Sequence, residues 1–157
     1  MTIQDKVVAI TGAGRGIGRA VAVHLAERGA HVVLGARSEA EIAAVANEIE
    51  VAGGTAIYRT TDVTKRADLD ALVGFACERF GRLDVMVNNA GIGPISRFDA
   101  LQVEDWDAMI AVNLKGALYG IAAALPVFKS QESGHIVNVI STAGIRIVPT
   151  MGIYAAS

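Results

Sequence analysis

The sequence contains few cysteine, proline and aromatic residues. Of its 157 residues, one is cysteine (Cys77), three are proline and 5% are aromatic. A single thiol excludes an internal disulfide and a cysteine-rich metal site. The three histidines, His24, His31 and His135, do not have the spacing of metal ligands. We therefore expect no metal centre and no disulfide framework.

Charge of either sign and long hydrophobic runs are also scarce. Fourteen basic and sixteen acidic residues give a net charge of −2, without a basic cluster, so no nucleic-acid partner is expected. The longest weakly polar run, residues 116–128, is interrupted by Pro126 and is shorter than the roughly 20 residues that span a bilayer. The first six residues contain no apolar signal region. These features predict a cytoplasmic protein without a membrane partner.

Hydrophobic residues and glycine are abundant, at 52% of the chain and 17 residues respectively. Short apolar runs alternate with longer amphipathic ones, and Gly29, Gly53 and Gly81 follow three predicted helices, where left-handed caps are common. The pattern predicts an α/β fold, a Rossmann-like doubly wound parallel sheet that ends after about five strands. We expect residues 1–157 to form a single domain. The strands are predicted at 7–10, 31–34, 56–58, 83–87 and 135–140, and the helices at 16–28, 39–52, 65–80 and 102–128.

A glycine-rich turn follows the first predicted strand. It reads Thr-Gly-Ala-Gly-Arg-Gly-Ile-Gly at 11–18 and leads directly into a helix. Backbone without side chains lets a pyrophosphate approach the positive end of that helix. The spacing is Gly-x-x-x-Gly-x-Gly, and no Gly-Lys-Ser/Thr follows, so this is not a P-loop. Tight packing of helix on strand would also use these glycines, but their place in a strand–helix–strand unit favours nucleotide binding.

The second predicted strand lacks the acidic residue that would normally hold the ribose hydroxyls of NAD. Gly35, Ala36, Arg37 and Ser38 occupy this position. The planar guanidinium of Arg37 can pair with a 2′-phosphate, and Arg15 in the glycine-rich turn can add a second cation. Alternatively, Arg37 is simply a solvated residue after a strand. The missing acid and the two cations favour NADP(H) over NAD(H).

Taken together, these motifs resemble the single-domain branch of the short-chain dehydrogenase/reductase family over essentially the whole chain. The resemblance rests on the loop at 11–18, Asp62-Val63 after the third strand, Asn-Asn-Ala-Gly at 88–91, Asn113 in a long helix, Ser141 and Tyr154. It implies an oxidoreductase that interconverts a carbonyl and an alcohol, and a homodimer or homotetramer. Asp62 and Val63 would frame the adenine, and Gly12, Gly16 and Gly18 would contact the phosphates. The other implied cofactor-binding residues are Arg15, Ile17, Arg37, Asn89, Ala90 and Gly91.

The same resemblance implies a catalytic set. Ser141 would hydrogen-bond the substrate oxygen, Tyr154 would transfer the proton, and Asn113 would hold a water in the proton relay. The family also has a lysine four residues after the tyrosine, which would be position 158, whereas the sequence given stops at Ser157. The resemblance therefore implies that residues 1–157 are a single dinucleotide-binding domain, the amino-terminal part of a longer enzyme. We expect this chain to be inactive by itself.

Two other functions stay open at this point. The chain could be a catalytically inactive nucleotide-binding fragment or interaction module, or a sugar-nucleotide epimerase of the extended branch. The substrate cannot be identified from the sequence. Apolar residues after strands four and five could line a pocket mouth, or could pack under a covering segment; they are Ile92, Pro94, Ile95, Ile145, Ile147, Val148 and Met151.

Overall fold

The computed structural model describes residues 2–146 and 149–157. Its centre is a five-stranded parallel sheet in the order β3-β2-β1-β4-β5. The strands are β1 (Val7–Thr11), β2 (His31–Ala36), β3 (Thr55–Thr60), β4 (Val85–Asn88) and β5 (His135–Asn138). This arrangement confirms the predicted Rossmann-like α/β fold, and each strand lies within three residues of its predicted bounds.

The helices connect successive strands and cover the sheet. They are α1 (Gly16–Ala26), α2 (Glu39–Val51), α3 (Arg66–Phe80), α4 (Val103–Met109), α5 (Gly116–Gln131) and the short α6 (Gly152–Ala156). Gly29, Gly53 and Gly81 have φ values of 82°, 84° and 74°, the left-handed conformation predicted for them after α1, α2 and α3.

Both faces of the sheet are buried, which explains the continuous apolar runs of the central strands. All five residues of β1 are buried. Val8 and Ile10 belong to one core cluster, and Val7 and Ala9 to another, because successive side chains of a strand point to opposite faces. The first cluster includes residues of α1 and α2, and the second includes residues of α3 and α5. The two helix layers thus hold the central strands rigidly between them.

A longer helix than the sequence predicted covers one side of the sheet. α4, a π-helical segment (Ile110–Lys115) and α5 form one run, Val103–Gln131, and Pro126 lies within it without ending it. Pro126 is on an exposed face, where water can satisfy the carbonyl that proline leaves unpaired. The helix predicted at 102–128 is thus confirmed and extends to Gln131. Its 29 residues are long and apolar enough to cross a membrane by length and composition alone, a test that core helices of soluble proteins also pass. Its inner residues Ala123, Ala124 and Phe128 belong to the core cluster shared with α3.

Asp84 connects the amino ends of β4 and β1. Its carboxylate accepts hydrogen bonds from Arg82 at 2.6 and 2.9 Å, from Lys6 Nζ at 3.1 Å and from the Val7 backbone N–H at 3.0 Å. Its side chain is only 6% exposed. Burial raises the pKa of this carboxyl, but the bonds from Arg82, Val7 and Lys6 lower it by more, so the pKa is below its ordinary value. Asp84 therefore stabilises the fold in its ionised form.

Replacing Asp84 with asparagine should lower the free energy of unfolding by about 2 kcal/mol at pH 7, because the partly exposed Arg82 and Lys6 and the buried Val7 N–H lose their charged acceptor. Since the folded pKa is depressed, the stabilisation is complete above the ordinary aspartate pKa of about 3.9 and is lost as the pH falls through the lower folded value. The difference between wild type and Asp84→Asn in urea unfolding should therefore shrink below about pH 4. Asp99→Asn is the matched control, since Asp99 also pairs with an arginine but is exposed. An equal effect of both substitutions would contradict this role of Asp84.

Candidate active site

A cleft of about 440 Å³ opens at the carboxyl ends of the strands, where β1 lies between β2 and β4. In open α/β sheets this reversal of strand order is where ligands bind. The glycine-rich loop and the segments after β2, β3 and β4 all contribute to its lining. The lining residues are Gly12, Gly14, Arg15, Ile17, Ala36, Arg37, Ser38, Glu41, Thr61, Asp62, Val63, Asn89, Ala90, Gly91, Ile92 and Val112. The cleft thus contains every predicted cofactor-binding residue except Gly16 and Gly18.

A hydrogen-bonded clamp joins the ends of β1 and β4 at the base of this cleft. The buried Thr11 hydroxyl accepts hydrogen bonds from the backbone N–H groups of Asn89 (3.0 Å) and Ala90 (3.1 Å), and donates to Val87 O (3.4 Å). The Asn89 side-chain amide donates back to Thr11 O (2.9 Å) and Gly12 O (3.3 Å). These bonds fix the glycine-rich loop against the segment after β4.

Three positions of the loop favour glycine for different structural reasons. Gly12 has φ 65°, and a methyl group on it would lie 2.9 Å from Ala90 Cα. Gly18 lies in α1, and a methyl group there would collide with the carbonyl of Gly12. Gly18 therefore lets α1 pack closely on the loop, which is the packing use of glycine that the sequence left as an alternative. Gly16 has φ 56° and open space beside it.

The amino terminus of α1 is electrostatically suited to an anion. Its N-cap residue is Arg15, whose side chain makes no capping hydrogen bond, and its first turn contains no acidic residue. By contrast, α2 is capped by the Ser38 hydroxyl and has Glu39 and Glu41 in its first turn. Free N–H groups and the helix dipole attract phosphate groups to such an uncapped terminus.

Polar and charged side chains line the side of the cleft formed by β2 and β3. Arg15 and Arg37 are exposed there. Burial raises the pKa of Asp62, but hydrogen bonds from Thr64 and the charges of Lys65 and Arg37 lower it by more, so the pKa lies below its ordinary value. The Asp62 carboxylate accepts from Thr64 N at 3.0 Å and from the Thr64 hydroxyl at 2.8 Å. Asp62 is therefore a hydrogen-bond acceptor next to a cation.

Asn113 lies within the π-helical segment and ties two parts of the site together. Its Oδ1 accepts from Ile92 N, and its Nδ2 donates to Ile92 O and to the Ser157 hydroxyl, each at 2.9 Å. The Ser157 hydroxyl in turn donates to Tyr154 O at 3.2 Å. Both N–H groups of the Asn113 amide are thus in use. The side chain holds the segment after β4 to α6, and the water relay inferred from the family stays a prediction.

Ser141 and Tyr154 approach the site from two neighbouring segments. The Ser141 hydroxyl accepts from Ala143 N at 3.1 Å, at the start of a 3₁₀ turn (Thr142–Gly144) that packs against α6. The Tyr154 ring in α6 lies over Gly93, where a methyl group would be 3.1 Å from the ring carbon Cε2. The fold therefore brings the segments carrying Ser141, Tyr154 and Asn113 to the carboxyl ends of β4 and β5.

Comparison with known proteins agrees with this geometry. The family model for short chain dehydrogenases matches residues 6–157. The chain belongs to the short-chain dehydrogenase/reductase family. An uncharacterized oxidoreductase from Listeria innocua is 47% identical over 157 residues, which are all of this chain and 63% of that protein. One from Staphylococcus aureus (strain MRSA252) is 42% identical over 155 residues, or 99% of this chain and 66% of that protein.

Two solved structures show the same fold. A short chain dehydrogenase/reductase from Burkholderia phymatum in complex with NAD has a TM-score of 0.95 and 36% identity, over 99% of this chain and 56% of its own. Levodione reductase has a TM-score of 0.92 and 36% identity, over 98% of this chain and 60% of its own. The chain thus spans about 63% of the length of the Listeria relative and somewhat less of these structures. The Listeria and Staphylococcus relatives are described as oxidoreductases, and the Burkholderia phymatum structure contains NAD.

The apolar residues predicted at a pocket mouth divide into several groups in this chain. Ile92 lines the cleft, and Met151 is partly buried. Ile95 and Ile145 are 59% and 84% exposed. Ile147 and Val148 lie outside the described residues. Within residues 2–146 and 149–157, no group of three or more His, Cys, Asp or Glu side chains could hold a metal ion.

Sequence reasoning missed several residues of the site, and two of them contribute their side chains to it. Glu41 lines the cleft from the first turn of α2, and Ser157 bridges Asn113 and Tyr154. Glu41 had a signal, because Ser38-x-x-Glu41 is the pattern of a helix capping box, which places Glu41 close to the end of β2. Ser157 had none, since its bond to Asn113 spans 44 residues.

Proposed function

We propose that this protein is an NADP(H)-dependent oxidoreductase that interconverts a carbonyl and an alcohol, with Tyr154 as proton donor and acceptor. The observation that carries the proposal is the uncapped terminus of α1, which opens into the same cleft as the segment after β4 that Tyr154 and Asn113 contact. A dinucleotide and a small substrate would meet where this cleft reaches the segment after β4.

The cleft residues suit the parts of a dinucleotide. Gly12, Gly14 and the N–H groups of α1 would hold the pyrophosphate, since backbone without side chains allows its close approach. Asp62 and Val63 would frame the adenine, and the Asp62 carboxylate has acceptor capacity left for its amino group. The segment after β4, which includes Asn89, Ala90 and Gly91, would line the cleft between the adenine and Tyr154. Because the Asn89 side chain is occupied in the clamp, its role would be to hold the cleft open.

The arginines support a preference for NADP(H). Arg37 and Arg15 both line the cleft, and neither forms an ion pair within the part of the chain that the structure describes. An adenosine 2′-phosphate would give both guanidinium groups an anionic partner with a matching geometry. The end of β2 offers no carboxylate at positions 35–38 to hold the ribose hydroxyls instead.

The chemistry requires a proton donor at the substrate oxygen, while the nicotinamide ring supplies or accepts hydride when the cofactor is bound. Ser141 accepts a hydrogen bond from Ala143 N, so its own O–H is free to donate to the substrate oxygen. Tyr154 would donate its phenolic proton to the same oxygen during reduction and accept it back during oxidation. Asn113, through Ile92 and Ser157, would keep α6 at the right distance from the segment after β4.

A tyrosine with an ordinary pKa near 10 transfers its proton more readily at neutral pH when a cation is close. The family pattern places a lysine four residues after the tyrosine, on the same face of α6. We propose that the complete gene product carries this lysine, and that residues 1–157 by themselves are inactive. The substrate would be a small molecule, because the site is a cleft between loops.

Replacing Tyr154 with phenylalanine should abolish catalysis without unfolding the protein, because only the proton donor is removed. We expect the complete gene product to oxidise NADPH in the presence of one or more members of a panel of aldehydes and ketones. The kcat of Tyr154→Phe should fall at least about 10²-fold, the usual contribution of a positioned acid. Tyr58→Phe, on the exposed side of β3, is the control and should keep full activity. Turnover by Tyr154→Phe equal to that of Tyr58→Phe would refute the proposed proton donor.

Replacing Arg37 with aspartate should weaken NADPH binding far more than NADH binding, because the 2′-phosphate loses a cation and meets an anion. The measurement is the dissociation constant of each cofactor by titration calorimetry. Arg59→Asp makes the same charge change on neighbouring β3, outside the cleft lining, and should leave the ratio of the two constants nearly unchanged. Equal losses for NADPH and NADH in Arg37→Asp would show that Arg37 does not recognise the 2′-phosphate.

A further inference from the structure

The side chain of Glu41 lines the cleft, a direction that its place in the first turn of α2 does not explain. Glu41 is the third residue of α2, and its backbone N–H donates to the Ser38 hydroxyl at 3.4 Å. In a complete capping box, the Glu41 carboxylate would accept in return from the Ser38 N–H. Among residues 2–146 and 149–157, the Glu41 carboxylate forms no hydrogen bond or ion pair.

The Glu41 side chain is directed towards the glycine-rich loop instead. A methyl group built on Gly14 would lie 2.9 Å from Glu41 Cβ and 2.9 Å from Glu41 Oε2. Glu41 therefore lines the cleft together with Gly14, Arg15 and Arg37. The carboxylate occupies the side of the cleft between the ends of β1 and β2, where the adenosine ribose of a dinucleotide lies in such folds.

This position gives Glu41 the chemistry of the acid that the end of β2 lacks. An ionised carboxylate only accepts hydrogen bonds, so it suits the two hydroxyl groups of an unmodified ribose. The same carboxylate repels a 2′-phosphate, whereas Arg15 and Arg37 attract it. The negative charge of Glu41 would thus weaken binding of the 2′-phosphate, whereas the positive charges of Arg15 and Arg37 would strengthen it.

We propose that Glu41 is a specificity-determining residue of the cofactor cleft, one that accepts from the adenosine ribose hydroxyls and disfavours a 2′-phosphate. It limits the preference for NADP(H) that Arg37 and Arg15 create, so that NAD(H) stays a usable cofactor. The inference rests on the proposed nicotinamide-dinucleotide function and assigns a new residue to it.

The test compares Glu41→Gln with Glu39→Gln in the complete gene product. Both substitutions remove one negative charge from the first turn of α2 and lose the same favourable interaction with its dipole, but Glu39 does not line the cleft. Dissociation constants of NADPH and NADH are measured for each variant by titration calorimetry. Thermal melting of both variants checks that the helix terminus is equally intact.

In Glu41→Gln, NADPH should bind more tightly and NADH more weakly, so that the ratio of their affinities shifts towards NADPH by roughly tenfold, or about 1.4 kcal/mol. Glu39→Gln should change this ratio less than about twofold, since an exposed charge outside the cleft is screened. An equal shift in both variants, or none in Glu41→Gln, would overturn the role of Glu41.

Arg37→Asp in the same titrations separates this inference from the proposed function. If Arg37→Asp removes the NADPH preference and Glu41→Gln behaves like Glu39→Gln, the 2′-phosphate assignment stands and the role of Glu41 is refuted. If Glu41→Gln shifts the ratio and Arg37→Asp does not, Glu41 is supported as the specificity residue and the assignment of Arg37 fails.

Discussion

The hydroxyl of Thr11 and the side chain of Asn89 form the contact on which the site depends. Parallel strands diverge where their order reverses, and β1 and β4 are neighbours in the sheet although 73 residues of chain separate Thr11 from Val85. The Thr11 hydroxyl satisfies two backbone N–H groups after β4, and Asn89 satisfies two carbonyls at the end of β1. Without these bonds, buried polar groups would lose their partners at the base of the cleft, at a cost of about 1–3 kcal/mol each.

This clamp positions the amino terminus of α1, which differs from the amino terminus of α2 at the same cleft. It holds Gly12 against Ala90, and Gly18 then packs α1 closely on the loop. The uncapped terminus of α1 consequently opens into the cleft, whereas α2 is capped by its own serine. In the proposed function, one side of the site attracts a pyrophosphate, and the other discriminates at the ribose through Arg37 and Glu41.

The sequence predicted the features that local rules control. Alternating apolar patterns located all five strands, and glycine at 29, 53 and 81 marked three helix ends, because only a residue without a side chain enters the left-handed region easily. The cleft-lining loops followed from the fold, since the carboxyl ends of parallel strands meet at one edge.

The sequence did not predict features that depend on long-range packing. The π-helical segment around Asn113 leaves no periodic signal. A threonine just before a helix is a common N-cap, but Lys65 is the N-cap of α3 and the Thr64 hydroxyl donates to Asp62 instead. The pattern Ser38-x-x-Glu41 places Glu41 in the first turn of α2 but does not give the direction of its side chain.

The most direct test of the account is the structure of the complete gene product crystallised with NADPH. We predict that the pyrophosphate lies at the amino terminus of α1, that the 2′-phosphate lies within hydrogen-bonding distance of the Arg37 guanidinium, and that the nicotinamide reaches the segment after β4 beside Tyr154. A dinucleotide bound elsewhere, or one whose nicotinamide lies away from Tyr154, would contradict the proposed site.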